Sequence, residues 1–328
     1  MTQMPPPSDR LAQRLTVSVV ICAYTMARWE LTLRAIASVR QQVPPVHELL
    51  VVIDHNPELR DRLRSHDPQL RVLENAETTG LSGGRNTGVR ASSGDCIAFL
   101  DDDAEAAPDW IRKLTRHLDR AEVIGAGARV VPAWVGTPTA WFPDEFLWVV
   151  GCSHRGLPTL ASPIRNVSGG GMLFRRAVFD RAGYFSHHLG RTRSSLPLGG
   201  EETELCIRAQ AVWPGAVLIY EPEAVVRHHV STARMTWSYY FLRCYAEGLS
   251  KATLSRMAGS ANLTSERRQA LTVLPRGVLQ GIHDTVLRRD PGGAGRAVAI
   301  VTGLCSVVAG FVVGLLTPDA AAPTAQAR

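Results

Sequence analysis

Three consecutive carboxylates directly follow an apolar run, and their position is the most informative feature of the sequence. Residues 96–100 have the pattern of a buried strand, and Asp101, Asp102 and Asp103 come next. In an open α/β sheet, ligands bind beyond the carboxyl ends of the strands. Neighbouring anions repel one another unless a cation lies among them, and oxygen ligands at this density suit Mg²⁺ or Mn²⁺ carrying a phosphate group. The alternative is a solvated acidic turn.

A second acidic cluster lies about a hundred residues later in the chain. Glu201, Glu202 and Glu204 follow segment 186–200, which is rich in Gly, Ser, Arg and Pro. This composition indicates a mobile loop, and loops that precede catalytic groups often become ordered when substrate binds.

Composition limits the class of protein. The 328 residues are 45% hydrophobic, and the net charge of +6 comes almost entirely from arginine, since lysine occurs only at Lys113 and Lys251. This balance favours phosphate-bearing ligands or an anionic membrane surface. The arginines are scattered and no zinc or aromatic signature accompanies them, so the sequence gives no support for nucleic-acid binding.

Strand and helix patterns alternate through the first hundred residues. Segments 17–22, 49–53, 70–73 and 96–100 have strand patterns, and helical or polar connections separate them. This alternation predicts an α/β fold with a mostly parallel, Rossmann-like sheet that is flanked by helices.

Five elements, in order, resemble the inverting nucleotide-sugar glycosyltransferases of family 2, which have the GT-A fold. They extend from about residue 16 to residue 252. The elements are Ala23-Tyr24-Thr25 with Asp54 after the second strand, the run 75–88 containing Arg85-Asn86, Phe99-Leu100-Asp101-Asp102-Asp103, Ser168-Gly169-Gly170-Gly171, and Gly200-Glu201-Glu202-Thr203-Glu204-Leu205 with Arg208.

The resemblance implies a donor site built from several of these residues. The nucleotide sugar would be bound by Ala23, Tyr24, Asp54, Arg85, Asn86, Asp101 and Asp102. Asp103 would coordinate a divalent Mg²⁺ or Mn²⁺ ion, together with Asp101 and with His228, because family members often have a histidine near this position. The ion would neutralise charge on the departing nucleoside diphosphate.

The resemblance also implies a general base and an acceptor side. A sugar hydroxyl is a poor nucleophile, so transfer with inversion needs a carboxylate to accept its proton. Glu202 is the expected base. Family members usually have Glu-Asp at this point, so the Glu-Glu pair here leaves Glu201 as the alternative. Gly170, Gly171 and Glu204 would lie on the sugar or acceptor side.

Residues 297–316 contain no charged side chain. As a helix, this segment is long enough to cross a bilayer once. Gly310 and Gly314 would permit close helix contact there. The alternative is a packed or in-plane helix of a C-terminal region. Arginines precede the segment, and this favours a catalytic domain on the cytoplasmic face of the plasma membrane.

These observations predict a domain order: a disordered N-terminus (1–15), a GT-A domain (16–255) with a nucleotide-binding half (16–132) and an acceptor half (133–255), a helical region (256–318) and a disordered tail (319–328). The predicted function is transfer of a sugar from a nucleoside-diphosphate sugar to a glycan or lipid-linked acceptor of the cell envelope. Two alternatives remain, a sugar nucleotidyltransferase and a non-catalytic nucleotide-binding membrane scaffold.

Overall fold

The computed structural model describes residues 15–187, 189, 196–258 and 264–317. The segments predicted to be disordered, 1–15 and 319–328, lie outside the described residues except for Leu15. Residues 188 and 190–195 of the predicted loop 186–200 also lie outside them.

The described residues form strands and helices that alternate at first and become mainly helical at the C-terminus. The strands are β1 (Val17–Ala23), β2 (Glu48–Ile53), β3 (Arg71–Glu74), β4 (Cys96–Asp101), β5 (Ala104–Ala106), β6 (Val123–Trp134), β7 (Ser162–Ile164), β8 (Gly171–Arg175) and β9 (Val217–Val230). The helices are α1 (Trp29–Arg40), α2 (Pro57–His66), α3 (Leu81–Ala91), α4 (Trp110–Thr115), α5 (Arg176–Ala182), α6 (Glu201–Val212), α7 (Trp237–Ala258), α8 (Thr264–Arg268), α9 (Leu274–Leu287) and α10 (Pro291–Leu316), and a π-helix, Gln269–Val273, joins α8 to α9.

All nine strands belong to one mixed sheet with the order β3-β2-β1-β4-β8-β6-β9-β5, and β7 pairs with β9. The pairings from β3 to β4 are parallel, as predicted. Beyond β4 the sheet is mixed, because β8 runs antiparallel to both β4 and β6. A parallel strand needs a crossover connection, usually a helix, whereas the segment between β6 and β8 contains a short 3₁₀-helix, Asp144–Val150, and strand β7 but no α-helix. The predicted α/β fold is confirmed, with this mixed second half.

The register of the parallel strands brings several polar side chains to one edge. Cys22 of β1 lies opposite Asp101 of β4, and Ala23 lies opposite Ile53 of β2. The three strands therefore end together, and the residues that follow them, including Asp54, meet at the same edge of the sheet.

Strand β6 passes through residues 132 and 133, where the sequence suggested a division between two halves. Its neighbours β8 and β9 belong to the same sheet as β1 and β4. The nucleotide side and the acceptor side of the predicted domain thus share a continuous sheet.

An aromatic cluster lies between the segment after β6 and helix α7. Trp141 stacks on Trp237 with ring centroids 3.9 Å apart, and Phe142 and Phe146 contact Tyr240 edge-on or at a tilt. Phe142 and Phe146 are buried, and Trp134, Trp141 and Trp148 are partly buried and pack against the same core.

Helix α10 packs along α7 through glycines. A Cβ atom at Gly248 of α7 would lie 2.6 Å from Phe311 N, and a Cβ atom at Gly314 of α10 would lie 2.7 Å from Ala252 Cβ. At Gly310 a Cβ atom would collide with the backbone of Tyr245. The close contact that Gly310 and Gly314 predicted is therefore made within the chain, and α10 also packs against α9.

Helix α3 also packs closely against strand β1 through a glycine. A Cβ atom at Gly88 would come within 2.9 Å of Val20 Cγ2, and Val20 is buried. We expect Gly88→Ala to lower the free energy of unfolding by about 1–3 kcal/mol, because the added methyl overpacks this contact. Urea denaturation measures the change.

The double variant Gly88→Ala/Val20→Ala provides the control. It should be less destabilised than the sum of the two single variants, because the smaller residue at position 20 makes room for the methyl group. Additive effects would show that the two residues do not clash.

Candidate active site

A cavity of about 1290 Å³ lies at the carboxyl edge of β1, β2 and β4 and extends toward the C-terminal helices. Its lining includes the ends of these strands, the N-terminus of α6 and one side each of α7 and α10. With the exception of Asn86, the predicted donor residues and the predicted base therefore face one continuous space.

Asp54, which follows β2, lies at one end of the cavity. Its carboxylate accepts hydrogen bonds from Asn75 Nδ2 (2.7 Å) and from Gly80 N (3.1 Å). Ala23 and Tyr24 line the cavity beside it, and Tyr24 is 49% exposed. An exposed aromatic ring can stack on a nucleobase, and an oriented carboxylate beside it can accept hydrogen bonds from ribose hydroxyls.

The three consecutive aspartates have different environments. Asp101 is half-buried and lies 3.7 Å from Arg85 Nη2, whereas Asp102 and Asp103 are buried. Arg28 Nη1 donates to Asp102 Oδ1 (2.6 Å), and Arg28 Nη2 lies 3.0 Å from Asp103 Oδ2. The cation that neighbouring anions require is therefore supplied in part by the protein itself.

Asp101, Asp103 and His228 form a group that could hold a metal ion. One ligand atom from each lies within 4.8 Å of the others. His228 comes to this point because β9 pairs with β5 opposite Ala104, and its Nε2 lies 3.1 Å from Asp103 Oδ1. Two carboxylates and one imidazole form a donor set that fits a divalent ion.

Burial and charge shift the aspartate pKa values in opposite directions. Burial raises the pKa of Asp102 to about 7, against the charge of Arg28. Burial also opposes ionisation of Asp103, but His228, Arg28 and Arg234 together hold the pKa of Asp103 below its usual range. Asp103 is thus an anion at neutral pH, as a metal ligand must be.

Helix α6 begins with the two adjacent glutamates, and they have different partners. Gly200 precedes them with φ +101°, a conformation that favours glycine. Glu201 is buried and accepts a hydrogen bond from Arg85 Nη1 (2.8 Å), with both side chains at most 5% exposed. Glu202 is half-buried and lines the cavity. Burial and the charge of Glu201 raise the pKa of Glu202 to about 8, although Arg85 opposes the shift.

Four of the predicted site residues do not line the cavity. One is His228, which reaches the site only through its contact with Asp103. The other three are Asn86, Glu204 and Gly171. Asn86 donates to Phe185 O and Glu77 Oε2 (both 3.0 Å), and Glu204 pairs with Arg208 (2.7 Å). Gly171 lies within β8, where a Cβ atom would meet Val226 and Ala128. These residues hold neighbouring elements together. Gly170 does line the cavity, beside Asp101.

Three arginines at or beside the cavity were missed by sequence reasoning. Arg28 pairs with Asp102 and Asp103, Arg234 Nη2 lies 3.7 Å from Asp103, and Arg243 of α7 lines the cavity beyond Glu202. No short motif marks them. The only available signal was the physical requirement that buried carboxylates have cationic neighbours.

Comparisons with known proteins agree with this geometry. The chain matches the model of glycosyl transferase family 2 over residues 18–183. It is 33% identical over 313 residues to the glucosyl-dolichyl phosphate glucuronosyltransferase of Haloferax volcanii, covering 93% of this chain and 98% of the relative. It is 29% identical to the succinoglycan biosynthesis protein ExoM of Rhizobium meliloti, covering 74% and 76%.

Solved structures show the same fold. The mannosyltransferase PcManGT of Pyrobaculum calidifontis, solved with GDP-Man and Mn²⁺, has a TM-score of 0.59 at 15% identity, over 90% of this chain and 88% of that one. GalNAc-T7, solved with UDP, GalNAc and Mn²⁺, has a TM-score of 0.53 at 18% identity, over 79% and 54%. With the family match and the long similarity to a named transferase, these findings establish that the chain is a glycosyltransferase of family 2 with the GT-A fold.

Proposed function

We propose that this enzyme transfers a sugar, with inversion, from a nucleoside-diphosphate sugar to a lipid-linked acceptor. The observation that carries the proposal is that Asp101, Asp103 and Glu202 line one cavity. A site for a charged leaving group and a candidate base therefore face the same space.

The nucleoside end of the donor would lie against Ala23, Tyr24 and Asp54. Arg85 lines the cavity between this end and α6, where its charge also interacts with Asp101 and Glu201. In this arrangement Asn86 acts indirectly, because its hydrogen bonds fix the backbone at Phe185.

Asp101, Asp103 and His228 would hold a divalent ion at the diphosphate. Such an ion offsets the negative charge that develops on the departing nucleoside diphosphate. The imidazole of His228 suits Mn²⁺ better than Mg²⁺, because Mg²⁺ prefers oxygen ligands.

Glu202 would accept the proton of the acceptor hydroxyl. The hydroxyl oxygen forms a bond to the anomeric carbon, the bond from that carbon to the diphosphate breaks, and the diphosphate leaves with the electron pair. A pKa near the operating pH is favourable for a general base. Glu201 is less suited to the role, because the Arg85 guanidinium engages one of its oxygens.

A lipid-linked acceptor is supported by the relative in Haloferax volcanii, whose name specifies glucosyl-dolichyl phosphate. The product distinguishes this function from sugar nucleotidyl transfer. Glycosyl transfer releases a nucleoside diphosphate, whereas nucleotidyl transfer releases or consumes pyrophosphate. A scaffold without activity would do neither.

Association with the cytoplasmic face of the plasma membrane is supported by the C-terminal helices. Helix α10 is long and apolar enough to cross a bilayer, and only 28% of its most apolar window is buried. Leu279 and Val286 of α9 and Val301 of α10 are also exposed. Arginines flank these helices, as is typical of the cytoplasmic side.

We expect Glu202→Gln to lower kcat by roughly 10²–10⁴-fold while the Kd of the donor stays nearly unchanged, because glutamine keeps the size but cannot accept the proton. For the wild type, kcat/KM should rise with pH up to about 8, since the base acts when it is ionised. Burial is the main cause of this raised pKa. The charges of Glu201 and Glu247 add to the shift, Arg85 opposes it, and Arg243 also interacts with Glu202. Steady-state kinetics across pH provides the test.

Glu201→Gln is the matched comparison. It should destabilise the fold by leaving Arg85 without its buried partner, yet the folded fraction should stay active. Its rise in kcat/KM should move to lower pH, because the charge of Glu201 that raises the pKa of Glu202 is gone. If Glu202→Gln stayed active and Glu201→Gln lost the rise of kcat/KM with pH, the base would be Glu201.

We expect Asp103→Asn to abolish Mn²⁺-dependent binding of a nucleoside diphosphate, because it removes an anionic ligand and keeps nearly the same shape. Calorimetry with and without Mn²⁺ measures this effect. Asp109→Asn, which changes a more exposed aspartate that pairs with Lys113, should bind as the wild type does. Equal affinities for all three proteins would exclude the metal site.

We expect the full-length protein to sediment with liposomes that contain anionic lipid. Leu279→Gln/Val286→Gln should bind them more weakly, by roughly 100-fold or more, because burial of each apolar side chain contributes about 1.5–3 kcal/mol and about 1.4 kcal/mol is a factor of ten. Leu160→Gln, at an exposed apolar residue outside the C-terminal helices, is the control. Equal sedimentation of the protein with and without liposomes would contradict membrane association.

A further inference from the structure

We propose that Arg243 and the apolar side of α10 form a subsite for the phosphate and the first part of the hydrocarbon chain of a phosphate-linked lipid acceptor. The inference rests on the proposed function and adds where and how this acceptor binds. Nothing in the reaction with the donor requires this part of the cavity.

One face of α7 provides a polar wall. Arg243, Glu247, Lys251 and Ser255 follow one another at helical spacing, and all four line the cavity. Arg243 Nη1 lies 2.9 Å from Glu247 Oε2, and Lys251 Nζ lies 3.3 Å from Glu247 Oε1. This wall begins beside the predicted base, because Arg243 interacts electrostatically with Glu202.

Arg243 has a hydrogen-bond donor that its neighbours do not use. It is 9% exposed, yet its Nε has no hydrogen-bond partner among the described residues. A Cβ atom at Gly199 would lie 3.3 Å from Arg243 Nη2, so the guanidinium lies against the segment that leads into Glu201 and Glu202. A buried guanidinium with an unsatisfied donor is a costly arrangement, and an anionic oxygen would satisfy it.

The charges around Arg243 also favour an anion. Lys251 and Arg165 both pair with Glu266, and Lys251 also pairs with Glu247. With Arg243 included, this group has three cations and two carboxylates. It carries one positive charge as long as Glu202, whose pKa burial raises to about 8, is protonated. Arg267 and Arg268 line the cavity nearby and are exposed.

One face of α10 provides the apolar wall. Leu304, Val307, Val308, Phe311 and Leu315 line the cavity at the spacing of a single helical face. Leu304, Val307 and Phe311 are half-buried, whereas Val308 and Leu315 are about half exposed. The wall therefore runs from the interior to the protein surface, where a hydrocarbon chain can leave the cavity.

The three features occur in the order that a phosphate-linked glycolipid requires. The hydroxyl to be glycosylated would lie at Glu202, the phosphate at Arg243, and the chain along α10. The phosphates of the donor would be held elsewhere, at Asp101 and Asp103. An acceptor without a phosphate or chain, such as a polysaccharide end, would leave Arg243 unsatisfied.

Kinetics with acceptors of increasing complexity test the subsite. The acceptors are one sugar presented as a methyl glycoside, as a sugar phosphate, and as sugar phosphates carrying isoprenoid chains of increasing length. We expect Arg243→Gln to raise KM roughly 10–100-fold for the acceptors that contain phosphate and not for the methyl glycoside, because it removes a charged hydrogen bond. Phe311→Ser should abolish the fall in KM with chain length.

The donor and the fold are controlled separately. Arg243→Gln should leave the Kd of a nucleoside diphosphate with Mn²⁺ unchanged; a weaker donor affinity would assign Arg243 to the donor and overturn the inference. Arg243→Lys, which keeps the charge, should recover part of the lost affinity. Val212→Gln, at an exposed residue of α6, should behave as the wild type does.

Direct binding separates failure of this inference from failure of the proposed function. Calorimetry with citronellyl phosphate should show binding that is lost in Arg243→Gln, whether or not transfer is detected. Transfer to lipid acceptors with unchanged KM in Arg243→Gln would overturn the subsite and leave the function standing. An equal kcat/KM for the methyl glycoside and for the lipid acceptor would also overturn the subsite.

Discussion

The compensation of buried negative charge is the constraint on which the site depends. Carboxylates from β4, α6 and α7 converge on one cavity, and burying such groups is costly unless cations or hydrogen bonds stabilise them. Arg28 and Arg85 provide much of this compensation. Because Arg85 belongs to α3 and Glu201 to α6, their ion pair also joins elements that are far apart in the chain. The position of Glu202 in the cavity thus depends on a contact made by its neighbour.

The sheet explains why these charges meet. The matched ends of β1, β2 and β4 place Asp54 and the three aspartates at one edge, and the pairing of β9 with β5 adds His228. The antiparallel strand β8 then brings Gly170, which directly precedes it, beside Asp101. A parallel sheet alone would supply the nucleotide side of the cavity, while the mixed extension supplies the rest.

Local patterns were sufficient to predict the first part of the fold. Strands β1 to β4 and the position of Asp101 at a strand end follow from apolar runs of strand length, which do not depend on distant residues. The mixed half of the sheet was harder to predict from the sequence, since the direction of β8 depends on pairing with β4, about 75 residues earlier. Sequence reasoning also expected Asn86 and Glu204 at the ligand. Their side chains are used by Phe185 and Arg208, and no local pattern reveals these partners.

The same limit applied to the two adjacent glutamates. Their order in the chain does not distinguish them, because the difference arises from an arginine 116 residues away. Arg243 was not recognised for a related reason. Its significance comes from an unsatisfied donor in a shared cavity, and both properties exist only once α7, α10 and the segment before α6 are assembled.

The glycine contacts between α7 and α10 have a geometric consequence. Because Gly248 and Gly310 bring the two backbones together, α10 cannot shift without displacing α7. Arg243 and the wall that would carry the hydrocarbon chain are therefore held together, and Gly199, just before the helix that carries Glu202, packs against Arg243. A phosphate held at Arg243 would therefore set the distance between the lipid phosphate and the hydroxyl that lies at Glu202. The enzyme would then select a hydroxyl by its distance from the lipid phosphate as well as by the identity of the sugar.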